Sequence, residues 1–188
     1  MKRLITVFLL TASLATIAQD DDTFSPSKLE AIARNMKTVW EDNDADFAVS
    51  TIPGKWKEES GVIIAQKTRF SFDKDANKLA VFEITRRRIM LNDRDAVNSY
   101  SSVYFRIGSA NDGAGIKVIK ANGTVQEVSL RNAVYVEDND DVPSTFTPYI
   151  GKANTYLDKS KSRVIFFKVA IPDLVPGDII DYGTIFYD

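Results

Sequence analysis

The 188-residue chain contains neither cysteine nor histidine. Without cysteine it has no disulfide, no thiolate nucleophile and no residue to carry a lipoprotein anchor. Without histidine, neither a serine–histidine nor a cysteine–histidine pair can be assembled, because both need an imidazole that accepts a proton near neutral pH. Zinc sites with Cys or His ligands are excluded on the same grounds. Positive charge is short as well: the formal net charge is −2. Nucleic-acid binding is not expected from that balance, since the longest basic run, Arg86–Arg88, lies in an alternating stretch where neighbouring side chains point to opposite faces.

Residues 1–19 read as a secretory signal peptide. Lys2 and Arg3 form a positive start, an apolar stretch runs from Leu4 to about Ile17, and small residues stand at Thr16 and Ala18. The stretch is shorter than the roughly 20 residues that cross a bilayer as a helix, and Asp20-Asp21-Asp22 follows at once. Cleavage near Ala18 or Gln19 is expected, with no membrane span afterwards. The destination is then the periplasm, the cell surface or the medium, and a cysteine-free exported domain fits a bacterial source.

Hydrophobic residues make up 44% of the chain and charged residues 27%, a globular balance. Residues 20–188 are expected to form a single β-rich domain. Ser25-Pro26 marks a helix start, with Ser25 as a cap, and Leu29, Ile32, Met36, Val39 and Trp40 recur at helical spacing until Asp42-Asn43-Asp44. Val62–Phe72 and Leu79–Leu91 alternate with period two and predict a long antiparallel hairpin, with Val62, Ile64, Phe70 and Phe72 on its buried face. A short helix is expected over Ala96–Tyr100, a strand over Val103–Ile107 and a loop over Gly108–Gly115. Asn122-Gly123 predicts a tight turn joining Ile116–Lys120 to Thr124–Val128. The polar composition between Glu137 and Lys161 predicts a long surface loop, and two buried strands close the chain, Val164–Ile171 and Ile179–Tyr187. The fold class is mainly β: an antiparallel β-sandwich or strongly bent sheet with one N-terminal amphipathic helix. The apolar ending at Ile185–Asp188 agrees with a domain that forms the N-terminal part of a longer protein.

No catalytic residues emerge. Asp73-x-Asp75-x-Asn77 begins like a calcium loop, but Lys78 stands where glycine is needed and Ile84 where a bidentate glutamate is needed, so a polar hairpin turn is the plainer reading. Asp138, Asp140 and Asp141 could gather a hard cation or form a solvated acidic loop, and the second is favoured. Among the aromatics Trp56, Tyr100, Tyr104, Phe146, Tyr149 and Tyr156, the last three lie in the polar loop and form a candidate partner-binding surface. Packing of the loop onto the sheet is the competing explanation for them.

Three segments, Glu59–Ile64, Ile116–Val125 and Ala170–Tyr182, resemble the domain of unknown function that precedes transglutaminase-like domains in exported bacterial proteins. The last has the form Pro-x-x-x-Pro-Gly-Asp-Ile-Ile-x-Tyr and is the most specific; the resemblance runs from about Glu58 to the end. It implies a β-rich, non-catalytic N-terminal module, usually followed by a papain-like core carrying cysteine, histidine and aspartate. None of those catalytic residues has a counterpart here. The expected function is an exported, non-catalytic binding or scaffolding module without a cofactor, its partner an unidentified protein, peptide or cell-envelope component. The alternative expectation is the truncated front of a transglutaminase-like or peptidase-like enzyme whose catalytic core is absent.

Overall fold

The computed structural model describes residues 24–41, 44–75, 78–147 and 165–187. Helix α1 (Pro26–Trp40) is followed by a hairpin of two long strands, β1 (Gly61–Asp75) and β2 (Lys78–Leu91), and by a short helix α2 (Arg94–Ser99). Strands β3 (Ser102–Arg106), β4 (Gly113–Ile119), β5 (Val125–Glu127), β6 (Val134–Tyr135), β7 (Phe166–Ala170) and β8 (Ile179–Tyr187) follow among the described residues. One antiparallel sheet has the order β1-β2-β8-β4-β5 and the other β3-β7-β6. A single apolar cluster joins them: Ile89, Leu91, Ile116, Val118 and Ile180 from the large sheet meet Val103, Phe105, Phe167 and Val169 from the small one. The fold is therefore mainly β, with two sheets enclosing one core. No helix among the described residues is long and apolar enough to cross a membrane.

Helix α1 covers the outer face of the large sheet. Pro26 takes the first helical position, where its missing N–H has no intrahelical partner to lose. Ser25 precedes it, but its hydroxyl lies 3.2 Å from that of Ser27 and does not cap the helix. Ile32, Met36 and Val39 are buried, as their spacing predicts. The helix approaches the sheet closely because glycine stands beneath it: a Cβ at Gly115 would lie 2.7 Å from Trp40 Cζ2, and one at Gly183 2.7 Å from Met36 Cε. Gly115→Val is accordingly expected to lower stability by about 1–3 kcal/mol through overpacking, read as a fall in the urea midpoint. Adding Trp40→Ala should recover part of that loss; an unchanged midpoint in the single variant would mean that α1 is not seated on β4.

The predicted hairpins form, and Gly123 has the positive φ of 86° that the Asn122-Gly123 turn requires. The buried face predicted for β1 does not form. A register shift between Ile63 and Ala65 inserts an extra residue, so that Val62 pairs with Met90 on the helix side of the sheet while Phe70 and Phe72 pair with Glu83 and Val81 on the opposite side. A bulge reverses the alternation downstream of itself, and a pattern read straight through it assigns the two halves to one face. Phe70 and Phe72 end up exposed.

The polar stretch expected to be a surface loop is only partly so. Its described portion, up to Thr147, makes two short 3-10 turns and buries Val142 and Phe146.

Candidate binding surface

The strand pairing sends the basic run to two faces. Arg86 and Arg88 point to the helix side, where both bind the Asp181 carboxylate: Arg86 donates from Nε (3.0 Å) and Nη2 (2.8 Å), and Arg88 from Nε (2.8 Å). Asp181 is 2% exposed at its side chain. The Arg86 guanidinium also lies 5.2 Å from the centre of the Trp40 ring and 4.3 Å from that of Phe47, so the cation is enclosed by apolar side chains. Arg87 points to the other face, donating to Gln66 Oε1 (2.9 Å) and to the carbonyl of Thr145. There the buried polar side chains Glu83, Thr85 and Arg87 form a layer that apolar patterning does not anticipate.

Three further carboxylates hold loops in place. Asp112 accepts the backbone N–H of Gly108 (2.6 Å), Ser109 (2.9 Å) and Tyr187 (2.9 Å), fastening the end of β8 to the turn before β4. Asp178, in the Pro-Gly-Asp segment, accepts Lys120 Nζ (2.6 Å) and the N–H of Val175 (2.9 Å), while Leu91 donates its N–H to the Asp178 carbonyl (2.9 Å). That segment thus ties the large sheet's β4–β5 turn to the end of β2. Asp93 caps α2 through Ala96 N–H (2.9 Å) and accepts the Ser60 hydroxyl (2.5 Å), and these bonds, Ser60's foremost, hold its carboxyl below the ordinary value of 3.8. Asp44 is lowered too, chiefly by the hydrogen bond from Lys67 (2.8 Å). Burial pushes the Tyr182 phenol upward, and its hydroxyl donates to the Tyr104 carbonyl (3.0 Å). Each of these groups is engaged in holding the fold.

The candidate aromatics divide. Phe146 is 4% exposed, its ring packed edge-on against Tyr182 (5.5 Å) and Tyr100 (6.3 Å) and tilted against Tyr104 (5.6 Å). In this arrangement it fills the space beneath the loop and offers no surface to a partner. Trp56 is exposed, with Lys55 Nζ 4.9 Å from its ring centre. Tyr149 and Tyr156 lie outside the described residues. The acidic groups also resolve: Asp138 Oδ1 accepts the N–H of Asp140 (2.9 Å) as part of a local turn, and Asp73 and Asp75 belong to the β1 ladder instead of a winding loop. Among the described residues no three carboxylates gather where a metal ion could be held.

Two surfaces among the described residues combine exposed apolar side chains with backbone or a groove that could receive a partner. A groove of about 280 Å³ runs between α1 and β4–β5, lined by Leu29, Met36, Trp40 and Leu130. Beside it Lys117 is already engaged within the chain, 3.5 Å from Glu127 and 4.6 Å from the Trp40 ring centre. The second surface is the outer half of the β1–β2 hairpin. Among the described residues the ladder from β8 runs as far as the pair Tyr187–Phe82, and beyond it β1 and β2 pair with each other. Phe72 (65% exposed) and Leu79 (66%) on one face of this outer part stand beside Phe70 (46%), which lies on the same face where β8 still pairs with β2, as their pairing with Val81, Lys74 and Glu83 dictates. Strand β1 is also the edge of its sheet: among the described residues no strand pairs with its outer side. The sequence carried a signal for this surface, since Phe70 and Phe72 are conspicuous in it, but their alternation read as core.

No protein-family model matches the chain, and no curated protein does. Among solved structures it is similar to a "putative protease" from Parabacteroides distasonis ATCC 8503, at 14% identity and a TM-score of 0.39, over 63% of this chain and 22% of that one. The chain thus spans about a fifth of that protein's length. A likeness of this size carries no argument about fold or activity.

Proposed function

We propose that this chain is an exported, non-catalytic binding or scaffolding module and that its partner docks on the outer half of the β1–β2 hairpin. The observation that carries this reading is the coincidence, on one projecting element, of an edge strand of 15 residues with the exposed apolar side chains Phe70, Phe72 and Leu79. Edge strands offer backbone N–H and C=O groups to an added strand, and flanking side chains give the addition its specificity. Edges that are not used are blunted by short strands, proline, charged side chains or bulges; β1 carries a bulge near its start and charges at Lys67, Arg69 and Lys74, but its ladder with β2 runs regularly for the rest of its length and holds no proline. The signal-peptide pattern of residues 1–19 supports export. The lack of cysteine and histidine supports a role without thiolate or imidazole catalysis.

Site-specific photocrosslinking tests the surface. A benzophenone amino acid at position 72 of the exported protein is expected to give discrete adducts that the same group at position 57, in the turn before β1, does not give. Equal labelling at both positions, or none at 72, would overturn the assignment of the hairpin as the docking element.

A further inference from the structure

The edge of β1 is complementary to itself. After the bulge the odd-numbered register positions from Lys67 to Asp75 fall on one face of the strand and the even-numbered ones, Thr68, Phe70, Phe72 and Lys74, on the other. If a second copy of the strand is laid antiparallel beside the first with the twofold axis through Ser71, residue pairs follow directly. Arg69 stands opposite Asp73 of the other copy, Lys67 opposite Asp75, and Phe70 opposite Phe72. Each pairing occurs twice because of the symmetry. Moving the axis by one residue breaks this match: with the axis at Phe70, Arg69 faces Ser71 and Phe72 faces Thr68, and with the axis at Phe72, Arg69 faces Asp75 and Asp73 faces Ser71. Only the Ser71 register sets both basic residues against acids and Phe70 against Phe72.

We propose that the partner bound by the β1 edge is a second copy of this chain, paired strand to strand about Ser71 so that the two large sheets become one. The proposal rests on the hairpin as docking surface and specifies its occupant. Opposite charges and aromatic pairs directly across an antiparallel ladder are stabilising, and like charges there are destabilising. The exposed rings of Phe70 and Phe72 would cover one another on one face, while positions of opposite charge stand across from each other on the other. Lys67 is already held by Asp44 at 2.8 Å, so the decisive pair is Arg69 with Asp73.

Because the chain has no cysteine, a single introduced thiol reports the register. Residues directly opposite in an antiparallel pair have Cα atoms about 4.5–5.5 Å apart, inside the range a disulfide spans. Under mild oxidation Ser71→Cys is expected to give a disulfide-linked dimer, and Gln126→Cys on β5 at the other edge of the sheet is not. By light scattering, Arg69→Asp, which sets two Asp–Asp pairs across the axis, should weaken dimerisation roughly tenfold. The double variant R69D/D73R, which exchanges the charges, should restore it. A protein that stays monomeric at high micromolar concentration, or a dimer indifferent to R69D whose Ser71→Cys form links no faster than the β5 control, overturns the homotypic pairing. In either case discrete adducts at position 72 with another protein would leave the docking surface standing, and their absence would remove both.

Discussion

Replacing Asp181 by alanine is expected to destabilise the protein by about 3–5 kcal/mol, the cost of leaving buried cations without their counter-charge. The carboxylate is almost wholly enclosed, and two guanidinium groups converge on it with three hydrogen bonds of 2.8–3.0 Å. One of them, Arg86, is covered by the rings of Trp40 and Phe47 and has little access to water. Removing the anion strands both. The comparison that isolates this cause is the triple variant R86M/R88M/D181L, in which no charge is left to desolvate; it should recover most of the loss, because well-packed apolar replacements of a buried ionic cluster are often neutral or better. Urea melts are the right measurement, since guanidinium salts would screen the interaction under study. A loss below 1 kcal/mol in D181A would show that water reaches the arginines and that the cluster is superficial.

Phe146→Ala is expected to cost about 3–5 kcal/mol, whereas Phe72→Ala on the projecting hairpin should stay within about 0.5 kcal/mol. Periodicity places Phe72 on the buried face of the hairpin and polar composition places Phe146 in a surface loop; the structure reverses both, with Phe72 exposed and Phe146 buried. Phe146 is enclosed by Tyr100, Tyr104 and Tyr182, so truncation removes transfer energy and leaves a cavity among rings that cannot all move into it. Equal midpoints for F146A and wild type would return Phe146 to the list of surface residues and reopen the polar loop as the docking element. A large loss in F72A, measured at a concentration dilute enough for the protein to be monomeric, would mean that the hairpin packs against part of this same chain.

The particular elements show where sequence reading succeeds. The α1 stripe of Ile32, Met36 and Val39 and the Asn122-Gly123 turn were predictable because helical periodicity and positive φ are local properties, set within a few residues. The β1 face failed because a bulge is decided by the partner strand: nothing in Ile63-Ile64-Ala65 announces an extra residue until β2 is laid against it. The candidate surface was missed for the same reason, and Asp181 gave no signal because Arg86 and Arg88 precede it by more than 90 residues.

The sequence by itself determined the β-rich class and the positions of the local turns, because composition and short-range geometry act without knowledge of the rest of the chain. The tertiary structure alone decided that Glu83 and Arg87 are inside while Phe70 and Phe72 are outside, and that Phe146 belongs to the core. Burial is a property of what lies opposite, and here the opposing groups come from strands and loops far away along the chain.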